Sequence, residues 1–208
     1  MFQALHATTT TLIDYLQTTI DADPFFGTPT HPWRDRNMRV LPQTPSEMLE
    51  NNFGEGLSFW LYRVVRDEER VNEPPRRISP TELRQPPLPL RLHYLLTPIT
   101  NRNNAGDPDT EQYALGKAMQ LLHSKPLFRG ADLRGQFAGT ASELFVRLET
   151  LSLDEITRVW EGINGSYQLC VSYEVTYVDI EPALEPERVS PVLVSLPEIG
   201  VASLGSNP

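Results

Sequence analysis

This sequence predicts an α+β fold, a small mixed β-sheet flanked by helices, followed by an extended Pro-rich C-terminal tail. Three observations lead there. Runs at 57–65, 88–96 and 166–180 alternate in side-chain character at the period of a strand. Segments 2–20, 111–123 and 153–163 carry apolar residues at helical spacing. The two kinds of signal interleave along 208 residues and are punctuated by 19 prolines, about 9% of the chain against an ordinary ~5%. The chain divides on this reading into a domain over 1–180 and an arm or tail over 181–208.

The elements follow in order. Phe2, Leu5, Leu12, Ile13, Leu16 and Ile20 fall on one stripe, so residues 2–20 form a helix with one buried face. The run Thr8 to Thr11 weakens its propensity, because β-branched side chains lose rotamer freedom in a helix. Asp21 to Pro24 ends it. Residues 24–56 read as irregular, with five prolines and one short extended run at 38–41. Arg34, Arg36 and Arg39 gather there, either in an ordinary surface loop or in one that contacts a partner.

In strand 57–65 one face carries Leu57, Phe59, Leu61 and Val65 and the other Ser58, Trp60, Tyr62 and Val64. Both faces are largely apolar, so both are covered, one by a helix and the other by a neighbouring subunit. Trp60, Tyr62 and the adjoining Arg63 are therefore candidate interface residues, together with Arg34, Arg36 and Arg39. Six prolines between Pro74 and Pro89 make a linker that cannot join a central ladder. Strand 88–96 then buries one face, carrying Leu88, Leu90, Leu92, Tyr94 and Leu96.

Thr110 caps a helix over 111–123, and 127–140 reads as loop. Residues 143–150 read as a strand, with helix as the rival. Ser152-Leu153-Asp154-Glu155 matches a capping box that opens a short amphipathic helix. Strand 166–180 sets Tyr167, Leu169, Val171, Tyr173, Val175 and Tyr177 towards a core. Gln168, Cys170, Ser172, Glu174 and Thr176 then face water or a polar partner surface. Beyond 181 a β-prone run at 189–196 contains Val192, Val194 and Leu196. These are candidate interface residues if the tail adds a strand to a neighbour's sheet, the alternative being a solvated tail.

Charge excludes several functions. There are 18 Lys+Arg against 27 Asp+Glu, for a formal net charge of −9. That disfavours nucleic-acid binding, which needs a surplus of basic side chains on some face. The acidity concentrates after residue 105, with 7 basic against 15 acidic residues. All but two of the basic residues, Lys117 and Lys125, are Arg, whose planar and weakly hydrated head suits protein interfaces. No stretch approaches about 18 consecutive apolar residues, so direct membrane insertion is not expected. The first basic residue is Arg34, so the opening lacks the basic region of a secretory signal.

Catalytic motifs are missing. One cysteine excludes an internal disulfide framework and a Cys-rich zinc site. His6, His31, His93 and His123 include no pair at metal-ligand spacing. Neither G-x-S-x-G nor a phosphate-binding P-loop occurs, and Leu115-Gly116-Lys117 lies inside a helix rather than opening one. The sequence thus offers no catalytic, cofactor-binding or metal-ligating residue. The rival readings are a soluble ligand-binding domain and a thiol-dependent hydrolase using Cys170 with His93 or His123.

Several segments in order carry a resemblance over roughly residues 5–180. They are 56–64 (GLSFWLYRV), 86–98 (PPLPLRLHYLLTP), 115–123 (LGKAMQLLH), 153–156 (LDEI) with Trp160, and 166–175 (SYQLCVSYEV). Together they resemble the cap, or tail-terminator, proteins of phage-tail-like contractile injection systems, such as the antifeeding prophage and virulence-cassette particles. The resemblance implies a tail-terminator-like fold and a homo-hexameric ring with inner tube protein and sheath protein as partners. It implies a structural role with no catalytic residue and no cofactor. It also implies assembly in the bacterial cytoplasm, into a particle that is then released or membrane-anchored.

Overall fold

In a computed structural model of the chain, residues 2–50, 54–100 and 107–190 are described. Helix α1 (Ala4–Asp21) is followed by the one-turn helix α2 (Pro32–Asp35), strand β1 (Arg39–Leu41) and the short helix α3 (Pro45–Glu50). Strands β2 (Gly56–Arg66), β3 (Arg76–Ser79), β4 (Glu82–Arg84) and β5 (Leu88–Ile99) come next, then helix α4 (Pro108–Ser124). Strands β6 (Leu127–Arg129) and β7 (Glu143–Glu149), helix α5 (Leu153–Gly162), and strands β8 (Val171–Ile180) and β9 (Glu187–Arg188) complete the order.

The main sheet runs β1-β2-β5-β8-β7-β6. β1 lies parallel to β2 and every other pairing is antiparallel, so the sheet is mixed, as the sequence predicts. α1 and α4 cover one face. Leu12, Leu16 and Ile20 of α1 and Ala114, Ala118 and Leu122 of α4 meet Phe59, Leu92, Tyr94, Leu96 and Val175 there. Phe59 and Tyr94 stack with ring centres 4.6 Å apart. Each fully buried aliphatic or aromatic side chain contributes about 1.5–3 kcal/mol, which outweighs the weak helix propensity of the threonine run. α5 covers part of the opposite face, over Leu95 and Cys170.

The threonines themselves are part of the core. Thr8 and Thr11 are buried, and their hydroxyls donate to the carbonyls of Ala4 and Ala7 at 2.9 and 2.7 Å. This back-bonding satisfies them without leaving the helix. Thr9 meets the Tyr94 hydroxyl at 2.8 Å, and Thr11 Oγ1 accepts the Arg134 N–H at 3.0 Å. Phe2, placed on the buried stripe by spacing, is 83% exposed.

Two bulges alter the expected alternation. The β2–β5 register shifts between Leu61 and Arg63, so Val64 rather than Val65 stands opposite Leu92. A second shift separates the Leu90–Val178 and Leu92–Val175 pairs. Tyr177 there has φ +64, and its ring turns outward beneath the Arg70 guanidinium, 5.2 Å away. Val178 takes the core position that strict alternation gives to Tyr177.

Other expectations need correction. β5 is buried on both faces, because α5 and its neighbours cover the side holding His93 and Leu95. β8 starts at Val171, and Ser172 and Glu174, expected to face water or a partner, are only 2% and 5% exposed. Asp107, not Thr110, caps α4, accepting the Thr110 N–H at 3.1 Å. Segment 24–56 holds two short helices, and His31 Nδ1 caps the first by accepting the Trp33 N–H. The Pro-rich linker contains the hairpin β3–β4, which β9 joins as a third strand. β6 lies inside the expected 127–140 loop.

Candidate functional site

Helix α5 organises the second face of the sheet. Ser152 Oγ accepts the Glu155 N–H at 3.3 Å, and the Glu155 carboxylate accepts the Ser152 N–H at 2.8 Å, closing the expected capping box. The helix then lays Ile156, Val159, Trp160 and Ile163 over Trp60, Tyr62, Leu95 and Cys170. Trp60 and Tyr62 are thus partly covered by their own chain. Arg63 is exposed beside them.

Beyond α5 this face becomes polar. Strand register places His93 of β5 opposite Glu174 of β8, and Glu174 opposite Arg147 of β7. Glu149 stands opposite Ser172, two residues along β7 on the same face. Glu149 Oε2 accepts from Ser172 Oγ at 2.7 Å, lies 3.1 Å from His93 Nδ1, and is 3.4 Å from the Tyr62 hydroxyl. Tyr62 and Ser172 bond each other at 3.0 Å. Arg147 Nη2 pairs with Glu174 Oε1 at 2.9 Å. Burial pushes the Glu149 carboxyl upward, but the bonds from His93 and Ser172 outweigh it and hold the group below its ordinary value.

One ligand-type atom from each of His93, Glu149 and Glu174 lies within 4.8 Å of the other two. No local spacing in the sequence marks these three residues as ligands. Three strands assemble this set from positions far apart in the chain.

Cys170 is a poor nucleophile. It is buried, its sulfur accepts the Trp160 indole N–H at 3.4 Å, and burial pushes its pKa up. A reactive thiol needs the reverse shift. His93 is engaged by Glu149, and His123 is exposed near the end of α4.

The arginines sit elsewhere, at the β1 edge. Arg36 bridges Glu55 and Asp107 at 3.2 and 3.0 Å, tying α2 to the start of α4. Arg34 and Arg39 are exposed and make no ion pair among the described residues. The candidate interface residues therefore form two groups, Trp60–Arg63 on the second face and the arginines at the edge. Val192, Val194 and Leu196 lie outside the described residues. An apolar groove of about 580 Å³ runs between α4 and β7, lined by Met119, His123, Phe145 and Leu148 among others.

The family model of the Pvc16 N-terminal domain matches residues 7–193. No curated protein matches the chain. Two solved cryo-EM structures are similar to it. One is the PVC sheath/tube terminator of an extracellular contractile injection system in its extended state, with 17% identity and a TM-score of 0.56 over 99% of this chain and 65% of that one. The other is the tube-terminating cap of the anti-feeding prophage, with 16% identity and a TM-score of 0.57 over 94% of this chain and 60% of that one. The chain therefore spans less than two thirds of either. At these identities the likeness establishes a shared fold.

Proposed function

The chain belongs to the Pvc16 N-terminal domain family, and from that premise we propose that it is a structural cap terminating the tube and sheath of a contractile injection system. The observation that carries this reading is the fold: nearly the whole chain aligns with two proteins named as tube terminators. A cap acts through shape. Copies of the chain close a six-membered ring by head-to-tail contacts, and the ring seats on the last ring of inner tube protein. There it occupies the surface the next tube ring would use, so growth stops. Its rim holds the last layer of sheath protein.

The exposed Arg34, Arg39 and Arg63 supply contacts in this arrangement, with Arg36 and the uncovered edges of Trp60 and Tyr62. Residues 1–180 form the cap domain, consistent with β8 ending at Ile180. Residues 181–208 form the arm, with Val192, Val194 and Leu196 engaging a neighbour. The role is non-enzymatic, which the buried, proton-retaining Cys170 supports. Assembly takes place in the bacterial cytoplasm before the particle reaches its final location.

Deletion and imaging test the proposal. Particles made without this protein are expected to carry tubes and sheaths of variable, overgrown length. Purified protein added to tube protein is expected to give six-fold rings on one end in negative stain. Normal lengths in the deletion strain, with no rings on tube ends, overturn the reading.

A further inference from the structure

We propose that His93, Glu149 and Glu174 bind one divalent transition-metal ion of the zinc class, pinning β5, β7 and β8 together. The inference is independent of the cap role and rests on four observations.

The ligand set is the first. One imidazole nitrogen and two carboxylate oxygens lie within 4.8 Å of one another, and the His93–Glu149 pair is already at 3.1 Å. A tetrahedral zinc-like ion with bonds of ~2.0–2.1 Å sets its ligands about 3.4 Å apart. The widest ligand pair thus has to close by about 1.4 Å at most.

The second is unmet bonding. His93 and Glu174 are each 5% exposed. His93 Nδ1 faces Glu149 while its Nε2 has no hydrogen-bond partner among the described residues, and Glu174 Oε1 is held by Arg147 at 2.9 Å. Buried polar atoms are normally satisfied. The Arg147 side chain is 54% exposed, so it can turn to solvent and yield the carboxylate to an ion.

Third, supporting contacts already hold the ligands. Ser172 and Tyr62 orient the Glu149 carboxylate, the outer-shell arrangement that fixes metal-binding carboxylates. Fourth, there is an access route. A polar pocket of about 260 Å³, lined by Arg147, Glu174, Thr176 and Tyr177 among others, opens on Glu174. It gives an ion a route to Glu174, past the acidic Asp67 and Glu69 and the Arg70 and Arg91 side chains that also line it. One imidazole with two carboxylates and no thiolate suits Zn²⁺, Co²⁺ or Mn²⁺. Three protein donors are too few for Ca²⁺, which takes six to eight oxygens.

Metal-stripped full-length protein titrated with Zn²⁺ and Co²⁺ by calorimetry tests this. One ion per chain is expected, with a thermal midpoint raised by several degrees and restored by chelation. His93→Gln and Glu174→Gln are expected to weaken binding at least tenfold. No binding to the wild type, or equal binding in both variants, overturns the proposal. Should the variants fail to fold, X-ray absorption of zinc on the wild type decides. One imidazole among oxygen ligands supports the site, and a shell without imidazole refutes it.

Discussion

Asp67 shows how one buried residue sets a solution property. Its carboxylate, 3% exposed, accepts from Arg91 Nη2 at 2.6 Å and from the Glu69 N–H at 3.3 Å. Burial pushes its pKa up, but the Arg91 and backbone bonds outweigh that and hold it below the ordinary carboxylate value. A depressed folded value means the ionised group stabilises the fold. That contribution is complete above the ordinary carboxylate value and fades as pH falls through the lower folded one. Asp67→Asn is expected to cost about 1–3 kcal/mol at neutral pH and to flatten the acid limb of the stability curve. Urea denaturation across a pH series checks this, and parallel acid limbs in the two proteins rule it out. Nothing local in Asp67-Glu68-Glu69 shows which carboxylate is buried, since Arg91 arrives from another strand.

Among elements, the parallel β1–β2 pair depends on one backbone position. Gly56 has φ +146, and a Cβ there would lie 1.9 Å from the Arg39 carbonyl oxygen. No side-chain adjustment relieves a contact with backbone, so β1 or β2 must shift. Gly56→Ala is expected to destabilise by about 3 kcal/mol or more, read by chemical denaturation. A loss below about 1 kcal/mol shows that the β1 edge is softer than this geometry implies. Helix α5 was legible because its cap, period and end lie within about a dozen neighbouring residues. The bulges at Tyr62 and Tyr177 were not, because they arise where strands of unequal demand must stay paired.

For the whole molecule, the described start of the proposed arm is anchored to the hairpin. β9 pairs with β4, and the Val189 N–H donates to the Thr81 carbonyl at 2.9 Å. The start of the proposed 181–208 arm is therefore tied to the hairpin through Glu187 to Val189, so the useful cut within the arm lies after Ser190. Shortening the chain after Ser190 is expected to leave the unfolding midpoint unchanged and to weaken sheath retention on assembled particles. Undiminished retention in the shortened protein removes the arm from the mechanism. The net charge of −9 suits the proposed cap role, in which contacts are to protein rather than to a nucleic-acid backbone.

The sequence by itself determined the α+β class, the amphipathic helices, the box at Ser152 and the strands around Trp60, Tyr94 and Tyr173. Ordered motifs also pointed to the cap family. Each of these signals is carried by neighbours in the chain, through helical period, strand alternation or capping chemistry. Only the tertiary structure decided that β5 is covered on both faces, that Thr8 and Thr11 lie inside, and that Asp107 rather than Thr110 caps α4. It alone brought His93, Glu149 and Glu174 together. Register between distant strands fixes which side chains meet, and a one-residue slip sends each to the opposite face, so no local pattern can encode that meeting.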